Sequence, residues 1–208
     1  LDSNLLVQQS KEWINNSEFN KFNETFSCKN EEDIIAEFFF LISNFLSSEK
    51  YFEMSNFYSN ISNYLNPEFY FNLTHLIENY FENKKYQKTK FLLKSFEKED
   101  NVYNWYKLKK ISQIIYKEEG EDESLKYIET KFKEYSYPSI KIIYDMANIY
   151  KRNKEFEKSI EYYSNLLEKL TTNSDEYAEV LYRRGSSYER LKEYKNSDKD
   201  LIKSLSIK

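Results

Sequence analysis

Glycine and proline are nearly missing from this chain, with two of each in 208 residues. Sandwiches, barrels and doubly wound sheets need frequent tight turns, so this scarcity excludes them. Histidine and cysteine occur once each, as His75 and Cys28. A histidine metal cluster, an intrachain disulfide and a thiolate metal site therefore cannot be assembled. A Ser/His/Asp triad or a Cys28/His75 nucleophile would rest on isolated residues alone. Gly120 and Gly185 cannot make a phosphate-cradling loop. No apolar run reaches the ~18 residues that span a bilayer. The most apolar stretch, IIAEFFFLISNFL at 34–46, is interrupted by Glu37, Ser43 and Asn44 and reads as a buried helix. Charge of neither sign dominates: the net value is −4 with both signs interspersed, unlike the basic face of a nucleic-acid binder. The expectation is no catalytic residue, no cofactor, no metal, no nucleic acid and no membrane insertion. His75 then reads as a partly exposed helical residue and Cys28 as a structural or loop thiol.

What is present is aromatic and charged. Twenty Tyr and sixteen Phe supply a core, and 32% charged residues supply a solvated surface. Helices joined by short polar loops suit such a composition. The paired carboxylates of EEDI, EEGEDE and DKD fall at loops and first turns, where they complement helix dipoles. The chain opens on Leu1 and stops inside a helical pattern, so it reads as a piece of something longer.

A repeat runs through it. Tyr194 of KEY has counterparts in Phe19, Phe52, Tyr86, Glu121 and Phe156, at intervals of 33, 34, 35, 35 and 38 residues. Three places later stand Ser55, Thr89, Ser124, Ser159 and Ser197, with Phe22 the exception. Nine places earlier stand Ser10, Ser43, Ile77, Ser112, Ala147 and Gly185, five of them small. Antiparallel helices that cross closely need small residues at the crossing. Gly185, which in a helix interior costs about 1 kcal/mol relative to Ala, is explained as such a packing glycine.

Capping signals divide each unit into two helices. Asn30 before acidic residues, Asn66 before Pro67, Pro138, and Asn173 or Ser174 before Asp175 mark first-helix starts, with each proline at the first helical position. First helices are predicted near 31–47, 67–82, 102–118, 138–152 and 175–191. Second helices are predicted near 51–65, 86–98, 121–135, 155–170 and 194–207. Residues 1–30 hold a degenerate first pair with Trp13 in its core. Five pairs follow, at about 31–66, 67–101, 102–137, 138–174 and 175–208, as one continuous array.

These residues resemble the tetratricopeptide repeat (TPR), whose pattern has large, small and Tyr positions in helix A and small, aromatic or aliphatic, and small positions in helix B. In the last unit they are Leu181, Gly185, Tyr188, Tyr194, Ser197, Leu201 and Ser204. The unit before has Ile143, Ala147, Tyr150, Phe156, Ser159 and Tyr163. The 70–101 unit has Leu73, Tyr80, Tyr86, Thr89, Leu93 and Phe96. Departures are Ile77 at a small position, the missing inter-helix aromatic at Glu121, and about four extra residues in the last interval. Residues 177–205 also resemble a stretch of larger alphaproteobacterial TPR proteins. The resemblance implies an all-α, right-handed superhelical α-solenoid of antiparallel helix pairs. It implies a non-enzymatic scaffold that holds a peptide or partner protein in the groove lined by helix A, and it leans toward a bacterial envelope location.

Counted from the small residue, the solvated helix-A face falls at −6, −3, +1, +4 and +5. That places Lys109, Tyr116 and Lys117, then Lys141, Tyr144, Asn148, Lys151 and Arg152, then Tyr182 and Arg190, in the groove. A basic, tyrosine-rich stretch of this kind suits an acidic peptide or a C-terminal carboxylate. Asn148 stands where TPR carboxylate clamps often place an Asn, although Tyr144 takes the place of the lysine that would accompany it. Ser43, Ser55, Thr89, Ser112, Ser124, Ala147, Ser159, Gly185, Tyr188 and Ser197 are assigned to packing between helices. Two other readings stay open: a helical accessory segment of a larger envelope enzyme or assembly machine, and an array that self-associates through Leu201, Ile202, Leu205 and Ile207 of its last helix.

Overall fold

The computed structural model describes residues 4–25, 27, 29–96 and 101–207, without the side chain of Asn101. Cys28 lies outside the described residues. Twelve helices account for nearly all of these residues, and no strand occurs among them. In chain order they are α1 (Leu5–Asn15), α2 (Asn20–Thr25), α3 (Glu31–Ser48), α4 (Phe52–Leu65), α5 (Tyr70–Glu82), α6 (Tyr86–Leu93), α7 (Asn101–Glu118), α8 (Glu121–Phe132), α9 (Ile140–Arg152), α10 (Phe156–Lys169), α11 (Asp175–Arg190) and α12 (Tyr194–Ile207). The chain forms two compact units that divide within α7, residues 2–114 and 115–208.

Helix starts follow side-chain chemistry. Asn30 caps α3 by accepting from the Glu32 N–H at 3.0 Å, and Glu31, Glu32 and Asp33 occupy the first turn. Ser174 caps α11 through the Tyr177 N–H at 3.1 Å. The two prolines behave differently from expectation. Helix α5 begins at Tyr70, because Asn66 folds its side chain onto the Glu68 N–H at 3.1 Å and holds Pro67 in a turn. Helix α9 begins at Ile140, with Ser139 as its cap through the Ile142 N–H at 3.3 Å.

The turns inside the helix pairs share one device. Ser17, Lys50, Lys84, Lys154 and Lys192 all take positive φ, between 57° and 64°, and Gly120 takes 107°. At each lysine the chain folds back onto the preceding helix: Tyr51 N–H reaches Leu46 O, Lys85 reaches Tyr80 O, Glu155 reaches Tyr150 O and Glu193 reaches Tyr188 O, at 2.8–3.0 Å. This is the left-handed helix-end motif usually given to glycine, here built mostly with lysine.

The packing residues are buried at Ser43, Ser55, Thr89, Ser112, Ser124, Ala147, Ser159 and Ser197. Gly185 is also buried, and Tyr188 is half-buried. A Cβ on Gly185 would meet Leu201 Cγ and Cδ2 at 3.1 Å and Asp200 Cβ at 3.2 Å, so α11 and α12 cross in close contact here. Ile77 fills its crossing as a fully buried apolar residue within a cluster of Leu73, Leu93, Phe96, Tyr103, Tyr106 and Ile114. In the C-terminal unit Ile143, Tyr144, Ala147, Tyr163, Leu166 and Val180 form a second cluster.

The junction of α3, α4 and α5 packs through hydroxyls instead. Ser43 Oγ hydrogen-bonds Ser55 O at 2.8 Å and contacts Ser55 Oγ and Ser59 Oγ at 2.9 and 2.5 Å. His75 Nε2 lies 3.1 Å from Ser43 Oγ, and burial lowers the pKa of its imidazole from the ordinary value.

Candidate functional site

Helices α9 and α11 are the first helices of the last two pairs, and they bring most of the groove candidates onto neighbouring faces. The arrangement is more internally satisfied than the spacing suggests. Tyr144, expected in solvent, is 4% exposed. Its hydroxyl donates to Glu179 Oε1 across the gap to α11, and the Arg183 guanidinium lies 5.4 Å from the ring centroid. Lys141 sits 5.4 Å from the same ring and pairs with Asp145 at 3.0 Å. Burial pushes the Tyr144 phenol well above its usual range, and the Glu179 hydrogen bond adds to that.

Asn148 is committed at both ends of its amide. Nδ2 donates to Tyr144 O at 2.9 Å, while Oδ1 accepts from Tyr163 Oη at 2.8 Å and Arg183 Nη1 at 3.2 Å. A carboxylate clamp at Asn148 would have to break these bonds. Glu179 in turn accepts from Arg183 Nε and Nη2 at 3.0 and 2.9 Å. Partial burial disfavours its charge, but the hydrogen bonds from Tyr144 and Arg183 outweigh this and hold its pKa below the usual carboxylate range. Tyr144, Asn148, Tyr163, Glu179 and Arg183 thus form one polar network across α9, α10 and α11.

Beyond this network the cations change character. Lys151 reaches Arg183 O at 3.3 Å, and its pKa is lowered by burial and then by the nearby charges of Arg183 and Arg190. Arg152 and Arg190 are exposed, as is Tyr182 on α11. None of Lys151, Arg152 and Arg190 pairs with a carboxylate among the described residues. Tyr116 and Lys117 are exposed at the end of α7, with the ammonium 5.5 Å from the ring centroid. Lys109 is half-buried and belongs to the N-terminal unit.

Sequence spacing does not single out Arg184 and Asp200. Their bidentate pair, at 2.7 and 2.8 Å, ties α11 to α12, while Arg184 Nη1 donates to Ser164 Oγ on α10 at 2.9 Å. The signal available was an arginine beside the packing glycine, which alone does not specify its partner. In the N-terminal unit Lys110, only 6% exposed, pairs with Glu78 at 2.7 Å, and Tyr106 donates to the same carboxylate at 2.6 Å. No group of three or more His, Cys, Asp or Glu among the described residues could hold a metal ion. Among the described residues no helix is long and apolar enough to cross a membrane.

The sequence profile of the tetratricopeptide repeat matches residues 140–168 and 178–208, the pairs α9–α10 and α11–α12. No curated protein matches the sequence. Among solved structures, a putative kinesin light chain of Podosopora anserina with nearly identical TPR-like repeats is 11% identical, over 82% of this chain and 93% of its own, with a TM-score of 0.57. BtubC (BKLC) from P. vanneervenii is 10% identical over 99% of this chain and 91% of its own, with a TM-score of 0.56. YrrB, described as a TPR protein with an unusual peptide-binding site, is 16% identical over 91% and 92%, with a TM-score of 0.47.

Proposed function

We propose that this chain, which carries tetratricopeptide repeats, is a protein-interaction scaffold whose C-terminal unit binds an acidic segment of a partner across α9 and α11. The observation that carries this reading is that Lys151, Arg152 and Arg190 have no carboxylate partner among the described residues, with Arg190 near enough to Lys151 to lower its pKa, while Tyr182 stands exposed on α11. Burial and like charge already weaken the Lys151 ammonium, so an incoming carboxylate would relieve repulsion as well as add attraction. Tyrosine and arginine are also the residue types enriched at binding hot spots. Tyr144 and Asn148 enter the proposal as supports that fix α9 against α11, because their polar groups are engaged inside the protein.

The test is capture of partners from native lysate by the full chain and by a Lys151→Glu/Arg152→Glu/Arg190→Glu variant. A partner held by the wild type should bind the variant at least about tenfold more weakly, and its capture should fall as salt rises. Equal capture by both proteins would remove these residues from the binding surface. The Tyr144→Ala substitution is unsuitable for this purpose, since it would disturb the packing of α9.

A further inference from the structure

In α5 and α11 a line of first-helix residues faces the pair before it, and the same line is largely buried in α9. The line lies five and two places before the small residue and two places after it. In α5 these are Asn72, His75 and Asn79. They bond back to the preceding pair: Asn72 Nδ2 to Ser59 O at 3.0 Å, His75 Nε2 to Ser43 Oγ at 3.1 Å, and Asn79 Nδ2 to Ser55 Oγ at 2.7 Å. In α9 and α11 the line includes Ile142, Ile149, Val180 and Ser187, all buried. In α3 the same line is Phe38, Leu41 and Phe45, and these are 59%, 57% and 65% exposed. Position by position, α3 shows the face that a preceding helix pair covers at α5 and α11, and here it stands open to solvent.

A helix pair of the right kind does precede α3. The α1–α2 hairpin has Ser10 and Phe19 in phase with Ser43 and Phe52, and Ser17 makes the same left-handed turn, with Glu18 N–H bonded to Trp13 O at 2.8 Å. That hairpin is seated elsewhere. Gln9 is buried and accepts from Tyr103 Oη of α7 at 3.2 Å, while Leu5 packs against the α5–α7 cluster. Its own exposed apolar residues have a place in the register. Ser47, which bonds Asn79 at 2.6 Å, corresponds to Ile14, and Asn79 corresponds to Phe45. Ser55, which bonds Asn79, corresponds to Phe22. Ile14 and Phe22 are both exposed. Stacked in repeat order, exposed apolar side chains of the hairpin would meet exposed apolar side chains of α3.

We infer that the bare face of α3, through Phe38, Leu41 and Phe45, is a docking surface for the chain's own α1–α2 hairpin, which has two seats. One is the seat against Tyr103 and the α5–α7 cluster. The other is the repeat-ordered seat on α3. Hydrogen bonds from Asn66 Nδ2 to Thr25 O at 2.9 Å and from Ser27 N–H to the Asp33 carboxylate at 2.8 Å tie the foot of the hairpin, about which it swings. Occupying the second seat uncovers the ground around Tyr103 that Gln9 and Leu5 now hold.

The test uses the full chain with Cys28→Ser and two engineered thiols, oxidised with diamide. Ile14→Cys/Phe45→Cys reports the α3 seat, and Gln9→Cys/Tyr103→Cys reports the α7 seat. The expected result is an intramolecular disulfide in each variant, seen as a monomer on a non-reducing gel. A disulfide-linked dimer from the first variant would assign the surface to a second copy and overturn the proposal. Thiols that stay free in the first variant while the second closes would also overturn it. A Leu5→Ala/Gln9→Ala variant provides an independent check by loosening the first seat. Amide exchange over residues 34–45 should then slow by about threefold or more as α3 is covered. Unchanged or faster exchange there would count decisively against the second seat.

Discussion

At the scale of single residues, Gly185 shows how much one hydrogen atom decides. Alanine would gain about 1 kcal/mol of helix propensity at this position. Its Cβ, however, would press on Leu201 at 3.1 Å and Asp200 Cβ at 3.2 Å. Asp200 cannot give way easily, because Arg184 grips both of its carboxylate oxygens in a buried pair. Overpacking of this kind costs typically 1–3 kcal/mol. Gly185→Ala should therefore destabilise the protein by about 1 kcal/mol net, visible as a lower midpoint in urea denaturation. Glycine in a helix is legible in sequence as a crossing point. What it crosses is not, since Asp200 and Leu201 lie in a different helix and carry no mark of their destination. Tyr144 and Asn148 illustrate the same limit. Their spacing places them on one face of α9, but Glu179 and Arg183 of the next pair determine that their polar groups point into a network rather than to a ligand.

At the scale of elements, periodicity and caps place the helices within a few residues, because the burial that gives the pattern also fixes the helix. The starts at Pro67 and Pro138 shift inward by two or three residues, since Asn66 and Ser139 find backbone partners that the prolines do not control. The left-handed turns were not legible at all. Lysine is no signal for positive φ, and the turn is imposed by the two helices it joins. A non-glycine residue in that conformation costs about 1 kcal/mol. Lys154 and Lys192 are exposed and make no ion pair across the turn among the described residues. Lys154→Gly/Lys192→Gly releases about 2 kcal/mol of strain, about half of it offset by glycine's greater freedom in the unfolded chain, and should raise the circular-dichroism midpoint of the C-terminal unit by a few degrees. An unchanged or lower midpoint would mean that the lysine stems contribute more than the strain.

At the scale of the molecule, the repeat period announces stacked pairs, each resting on its neighbours. A period alone is silent on whether every pair takes the seat its place in the series offers. The α1–α2 hairpin carries the repeat's marks and still lies against α7, which only three-dimensional contacts such as Gln9 with Tyr103 reveal. The composition is also unevenly distributed between surface and interior. Serine, asparagine and histidine fill the junction of α3, α4 and α5, while phenylalanine and leucine of α3 face water.

This inversion has a thermal consequence. The heat capacity of unfolding rises with newly wetted apolar area and falls with newly wetted polar area. Melting the α3–α5 junction wets hydroxyls and amides, whereas Phe38, Leu41 and Phe45 are already wet. Calorimetry should therefore give an increment below the usual ~12–15 cal/mol/K per residue, with a correspondingly flatter stability curve. Such a junction would lose little grip on cooling, where oil-like interfaces weaken most.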